Sequence, residues 1–472
     1  MKATRALRAA GRLHTAAAPT ARPRSSTGLL RRPALMRGSQ TKSARSSLSR
    51  PGIGAWAQTA AAGLPSRSTA GARQPYSTDK LMGHDECLVS SEAPGFAFVF
   101  DIDGVLLHVA KPIPGASETL RYLHEHNIPF ILLTNGGGKP EAERVRDLGE
   151  RLGVHLTTAN FVQSHTPFQD LVAGPEGLGD KTILVTGSDP ERTRRIAEGY
   201  GFKMVVTPAD ILAAQPAIWP FDPLLESAYA ATARPLPKPL WEPGMADGDA
   251  LRLDAMFVFN DPRDWALDIQ IIVDALASRG GLLGTYSARN GRADLGPGEG
   301  WQSDGQPALY FSNADLLWSA GYHLPRFGQG AFQAAVAGVW ERLTGGVALR
   351  RTVIGKPYAE TYRYAERVLA EYRREVLERT AGTTVGAANG AGEELRAVYM
   401  IGDNPESDIR GANEYESEAG TEWCSVLVRT GVWSPERGGG GRMAYRPTSI
   451  ADDVRAAVRW ALKREGWEGP PL

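Results

Sequence analysis

The stretch FAFVFDIDGVLL, Phe96 to Leu107, changes character at its sixth residue. Five apolar and aromatic residues read as a short buried strand, and two carboxylates, Asp101 and Asp103, follow at its end. The same grammar repeats outward from it. After Pro114-Gly115, ASETLRYLHEH has helical spacing, with Leu120 and Leu123 about one turn apart, and Asn127 closes it. IPFILL, Ile128–Leu133, is a second apolar strand that stops at Thr134-Asn135 and three glycines, and KPEAERVRDLGERLG returns to helix spacing. Alternating strands and helices, the strands apolar throughout, predict an α/β fold with a parallel sheet covered on both faces.

Further along, Thr182–Val185 and Met256–Phe259 continue the strand series, and Trp265–Ala277 has helix spacing with Leu267, Ile271 and Leu276 apolar. The Pro-rich stretch Pro216–Pro243 reads as an extended surface loop. The last third supplies strands at Arg351–Ile354, Ala397–Ile401 and Ser425–Val428, and helices at Ala359–Glu378 and Ile450–Lys463. Thr380–Gly392 has no charged residue and is dominated by Gly, Ala and Thr, the composition of a flexible insertion.

Charge separates the chain into two parts. The 472 residues carry 53 Lys+Arg and 53 Asp+Glu, but residues 1–78 hold 14 of the basic residues and no acid. The remainder has 39 basic against 53 acidic residues, a net of −14, which argues against a general nucleic-acid binder. The acid-free, Arg/Ser/Ala-rich start, beginning MKATRALRAAGRLH, has the composition of a mitochondrial transit peptide, with removal near Arg73–Ser77. The plainer reading is a disordered basic tail that meets an acidic partner or a membrane surface. Two cysteines exclude a disulfide framework and a Cys-based zinc site, and no His pair has zinc-enzyme spacing. No apolar run is long enough for a membrane span.

Four segments place polar groups where a strand gives way to a loop, and in open α/β sheets such ends face one crevice. Asp101 and Asp103, two residues apart, call for a nearby cation, or else form a charged turn closed by Asp103-Gly104. Leu133-Thr134-Asn135-Gly136-Gly137-Gly138 combines a hydroxyl, an amide and exposed backbone N–H groups before a helix, an anion cradle or a glycine turn with an N-cap. Lys356, in Ile354-Gly355-Lys356-Pro357, could balance a phosphate or be a solvated surface lysine. Asp403 and Asp408, in Ile401-Gly402-Asp403-Asn404-Pro405-Glu406-Ser407-Asp408-Ile409, are oxygen ligands for a hard cation or parts of a turn and helix cap. Asn313 and Asp315 could line the same pocket or cap a helix, and Arg263, Asp264 and Trp265 read as a cluster that packs the cap or else touches substrate. Gly174–Thr182 lacks P-loop spacing, and Gly438–Gly441 reads as a loose loop.

Taken in order, DxDGV, TN, GKP and GDNPxSD closely resemble the motifs of the haloacid-dehalogenase superfamily, over about residues 95–465. The long insert between TN and GKP resembles the large cap of its class IIA members. PGASETL, QSHTPF, FNDPRDW and PRFGQGAF resemble the mitochondrial branch named after the cat-eye syndrome critical region. The resemblance implies a Rossmann-like parallel-sheet core at 94–166 and 316–465, with a C2-type α/β cap at 167–315. It implies a phosphatase in which Asp101 attacks phosphorus to form an aspartyl-phosphate and Asp103 serves as general acid, then base. Thr134, Asn135, Gly136 and Lys356 would hold the phosphoryl group. Mg²⁺ would draw on Asp101, Asp103 through its backbone carbonyl, Asp403 and Asp408, the last orienting Lys356 or a metal-bound water. The expected substrate is a small phosphorylated metabolite: a glycerol-phosphate or phospholipid precursor, a nucleotide or a cofactor phosphate. The expected setting is the mitochondrial matrix, with a homodimer through the cap and no nucleic-acid partner. The competing reading is a catalytically silent ligand-binding or regulatory protein that keeps the fold; transfer to an acceptor other than water is a further variant.

Overall fold

Phe96–Phe100 (β1) is buried on both faces of a sheet. Phe96, Phe98 and Phe100 point into one layer and Ala97 and Val99 into the other, and none is more than 3% exposed. That double burial is why the strand is apolar at every position rather than at alternate ones. The computed structural model describes residues 94–472 except Pro175, Pro297, Ser319, 382–393 and 434–442. The basic leader 1–78, most of the Thr380–Gly392 stretch and Gly438–Gly441 lie outside the described residues.

In chain order, β1 is followed by helix α1 (Ala116–Glu125), β2 (Phe130–Leu133), α2 (Glu141–Leu152) and β3 (Phe161–Val162). Then come β4 (Thr182–Thr186), α3 (Pro190–Tyr200), β5 (Met204–Val206), β6 (Ala255–Val258), α4 (Trp265–Ala277) and β7 (Ala308–Phe311). The chain closes with α5 (Gln329–Thr344), β8 (Thr352–Val353), α6 (Ala359–Ala381), β9 (Ala397–Gly402), β10 (Glu422–Val428), β11 (Ser449–Ala451) and α7 (Val454–Arg464). One sheet has the order β11-β10-β9-β1-β2-β3 and is parallel throughout. α1 and α7 cover its first face through Leu120, Leu123, Val454 and Val458, and α6 covers the second through Tyr362, Ala365 and Leu369. Each fully buried Leu, Val or Phe contributes about 1.5–3 kcal/mol, so these layers dominate the stability of the core.

A second parallel sheet, β8-β7-β6-β4-β5, is inserted between β3 and α6. Its last strand corrects the expected boundary at 315/316. Thr352 and Val353 pair with Tyr310 and Phe311, and Phe332, Val336 and Trp340 of α5 are buried in the same apolar cluster as β6 and α4. The inserted unit therefore runs to Val353, and Ile354–Pro357 is the segment by which the chain returns to the first sheet. The Pro-rich stretch also differs from expectation: it contains the helix Glu226–Thr232, and Tyr229 and Leu240 are buried. Arg194 explains this. Its guanidinium forms paired hydrogen bonds to Asp210 (2.9 and 2.8 Å) and donates to the Thr232 carbonyl, tying the stretch to α3. Among the described residues no helix is long and apolar enough to cross a membrane.

Candidate active site

Strand register brings three of the four motifs together. Phe100 pairs with Ile401 on one side and with Leu132 on the other, so β9, β1 and β2 end side by side. Asp101, Asp403 and Thr134 each lie just past one of those ends. The Asp101 amide still donates to the Ile401 carbonyl at 2.9 Å, which holds the loop in line with the sheet. Lys356 enters from the returning segment and is buried. Its Nζ donates to Asp101 Oδ1 (2.6 Å) and to the Leu133 carbonyl (2.9 Å), and pairs with Asp408 Oδ1 at 2.7 Å. The plainer reading of a solvated lysine is thereby overturned.

One carboxylate oxygen each from Asp101, Asp403 and Asp408 lie within 4.8 Å of one another. Burial pushes Asp101 up to about 7, with Lys356 opposing the shift and Asp408 and Asp103 adding to it. Burial also raises Asp403 well above the ordinary carboxylate range, and the charges of Asp101 and Asp408 raise it further. Burial works against the Lys356 ammonium, but the two carboxylates beside it reverse that and hold its pKa above the usual lysine value. One ammonium among three packed carboxylates leaves uncompensated negative charge. A hard cation with oxygen ligands fits that donor set.

The acids differ in what they can offer. Asp408 Oδ2 accepts the Asp403 and Asn404 amides (3.1 and 3.0 Å) while Oδ1 faces Lys356, so this residue positions the turn and the lysine. Asp403 Oδ2 accepts the Val432 amide at 2.6 Å. That approach requires glycine at 431, where an added Cβ would stand 1.8 Å from the same oxygen. Asp103 lies outside the carboxylate cluster and on the cavity wall. Burial raises its pKa against the pull of Arg144 and Lys356, which suits a proton donor.

The TN segment divides its labour. Thr134 Oγ1 accepts the Gly136 amide at 2.9 Å and closes the turn. Asn135 is chiefly a brace, not the side-chain phosphate ligand its motif suggested. Its amide donates to the Lys356 carbonyl (2.9 Å) and Asp315 Oδ2 (3.0 Å), and its carbonyl oxygen accepts the Lys356 amide (2.8 Å). Both side-chain donors are therefore spent, and the backbone after Thr134 is what it would present to an anion. Asn313 donates to the Asn135 carbonyl and accepts the Asp315 amide, so Asn313 and Asp315 support this brace and also reach the cavity. Burial moves Asp315 up to about 6.

All these groups line one cavity of about 380 Å³, of a size for a small ligand. The inserted unit supplies its far wall: Ser188, Arg192, Asn260, Asp261 and Arg263. Arg192 was not legible as a site residue, since a surface arginine on a helix carries no motif, whereas Arg263 belongs to the FNDPRDW segment. Of the Arg263-Asp264-Trp265 group, only Arg263 faces the cavity. Asp264 caps α4, and Trp265 donates to the Pro262 carbonyl and packs on Phe332. The glycine run also proves to be a joint. Gly138 has φ +94°, and a Cβ there would meet Asn260 Nδ2 at 2.3 Å. Its amide donates to His165 Nε2, so His165 Nδ1 carries the proton toward Tyr200 Oη, which in turn bonds Glu141. Burial lowers His165 to about 4, keeping it neutral in that chain.

Residues 98–203 match the haloacid dehalogenase-like hydrolase family, and residues 353–457 match a second haloacid dehalogenase-type hydrolase family. A mitochondrial hydrolase of Saccharomyces cerevisiae is 38% identical over 376 residues, 78% of this chain and 96% of that protein. A cardiolipin synthase/mitochondrial hydrolase fusion protein of Schizosaccharomyces pombe is 38% identical over 384 residues, 80% of this chain; the chain spans 55% of that protein's length. Among solved structures, a hypothetical protein of Pyrococcus horikoshii superposes with a TM-score of 0.47 at 18% identity, over 78% of this chain and 99% of that one. The chain belongs to the haloacid dehalogenase-like hydrolases.

Proposed function

We propose that the chain is a Mg²⁺-dependent phosphatase of small phosphate monoesters that works through an aspartyl-phosphate. The observation that carries this reading is Asp101: a buried carboxylate at the end of a central strand, held by Lys356 and facing a cavity with a backbone anion cradle. An Asp101 oxygen attacks phosphorus, the bond from phosphorus to the ester oxygen breaks, and Asp103 gives its proton to the departing alkoxide. Water then attacks the aspartyl-phosphate, Asp103 takes the proton back, and inorganic phosphate leaves. Lys356 holds the charge of the transferring group, with the Thr134 hydroxyl and the Asn135 and Gly137 amides beside it. A Mg²⁺ held by the Asp101 and Asp403 carboxylates and the Asp103 carbonyl would supply the positive charge that lets an anion attack a dianion. Asp408 keeps Lys356 and the Asp403 turn in place.

The basic leader and the names of the two relatives support a mitochondrial setting. The fusion of one relative to a cardiolipin synthase favours a glycerol-phosphate or phospholipid-precursor ester over nucleotides and cofactors. A panel of these esters, with and without Mg²⁺, tests the reading. Asp101→Asn should lower Mg²⁺-dependent phosphate release by roughly 10⁴-fold or more while leaving the circular dichroism unchanged. An unchanged rate in that variant would remove Asp101 as nucleophile.

A further inference from the structure

Two short hairpins flank the mouth of the cavity. One pairs Leu107–His108 with Lys111–Pro112, and the other pairs Leu317–Trp318 with Arg326–Phe327. Of sixteen exposed large apolar side chains among the described residues, six lie on these two hairpins, including Val109 (57%), Tyr322 (54%) and Phe327 (70%), and Leu316 adjoins them. The segments touch, since a Cβ on Gly321 would stand 3.5 Å from Val109 Cγ2. Val109, Leu317 and Trp318 also line the cavity, so the apolar surface runs from the site outward without a break.

Two further features single the surface out. Val109 has φ +61°, a left-handed conformation that a β-branched residue adopts only at a cost, and its side chain is exposed. Residues 104–115 and 316–330 contain no acid in a body whose net charge is −14, and they carry His108, Lys111, His323 and Arg326. Arg326 lies 4.6 Å from the centroid of the Tyr322 ring. Exposed Trp, Tyr, Leu and Phe beside basic groups are what inserts at the headgroup level of an anionic bilayer.

We infer that the paired hairpins dock the protein on a lipid bilayer, so that the cavity receives a phosphate monoester carried by a membrane amphiphile. This rests on the phosphatase reading and names its substrate class. A cavity of about 380 Å³ holds a headgroup and no diacyl tail, and the wall formed by Val109, Leu317 and Trp318 leads the chains toward the bilayer.

The test compares the full chain with its Leu324→Ser/Phe327→Ser variant, whose side chains are exposed and outside the catalytic machinery. Sedimentation with phosphatidylcholine vesicles containing phosphatidylglycerol should show partitioning weakened roughly tenfold or more, since two apolar side chains lose their burial. The basic leader is present in both proteins, so the difference reads the hairpin alone. Phosphate release from soluble glycerol phosphate should be unchanged in the variant, while release from vesicle-borne phosphatidate should fall in step with binding. Equal vesicle binding by the two proteins overturns the inference. A change of sedimentation mass without a change in vesicle binding also overturns it and assigns the face to a second copy. If neither ester is cleaved by the wild type, the phosphatase reading fails, and the vesicle arm still decides the docking.

Discussion

Asp101 concentrates the physical problem of this site. In the metal-free protein, burial above all holds its carboxyl at about 7 against an ordinary 3.8, while Lys356 pulls the other way. A carboxyl with a higher pKa in the fold than in the unfolded chain binds its proton more tightly when folded. The associated stability is present below the ordinary value and is lost as pH rises toward about 7. Asp403 shifts in the same direction. With a chelator present, the melting temperature should therefore fall as pH is raised across that window, and Mg²⁺ should restore it. Titration of Mg²⁺ near pH 7 should release protons, read as a heat that changes with the ionisation enthalpy of the buffer. A melting temperature that is flat with pH and unmoved by Mg²⁺ would remove the Asp101–Asp403–Asp408 cluster as a metal site. The acids themselves were legible in DxDGV and GDNPxSD. That Asp408 spends its oxygens on two amides and Lys356, and that Asn135 spends both donors as a brace, was not, because hydrogen-bond partners depend on distances that spacing does not contain.

At the scale of elements, the Gly136–Gly138 segment joins the two sheets. An anion cradle or a turn would by itself account for its glycines. The tighter constraint is Asn260, from the loop after β6, which leaves no room for a side chain at Gly138. Gly138→Ala should cost about 1–3 kcal/mol through the left-handed backbone alone, with a further displacement of Asn260. Its signature would be a raised KM together with a lower melting temperature; a variant that melts and turns over like the wild type would show that the contact is slack. The strand at Arg351–Ile354 illustrates the complementary limit. Its place in sequence, next to GKP, suggested the first sheet, yet Val353 pairs with Phe311 in the second. A short apolar strand states that it will be paired but not with which sheet, since only the neighbouring edge settles that.

For the whole molecule, the inserted unit brings Arg192 and Arg263 over a pocket whose floor is acidic. Two guanidiniums there would meet the outer part of an anionic substrate, each hydrogen bond to a charged group being worth about 1.5–3 kcal/mol. Arg192→Ala and Arg263→Ala should each raise KM for a phosphate ester roughly tenfold or more, with kcat changed less. Effects confined to kcat would place these residues with the reacting group instead. No motif marked Arg192, and FNDPRDW marked Arg263 without fixing its use, because their place over the pocket comes from one unit closing over another.

The sequence by itself determined the α/β class, the strand ends where chemistry gathers, the division into a basic leader and an acidic body, and the placing of the carboxylates Asp101, Asp103 and Asp403 at those ends. Those follow from local pattern: apolar runs that must be buried on both faces, and carboxylates at their ends that demand a cation. Only the tertiary structure decided which sheet Val353 joins, that the Asn135 side chain serves as a brace, that the arginines of the insert line the same cavity as the acids, and that Val109 and Trp318 meet at its mouth. Each of these is a contact between residues far apart in the chain, set by packing and register, and no stretch of sequence carries both partners.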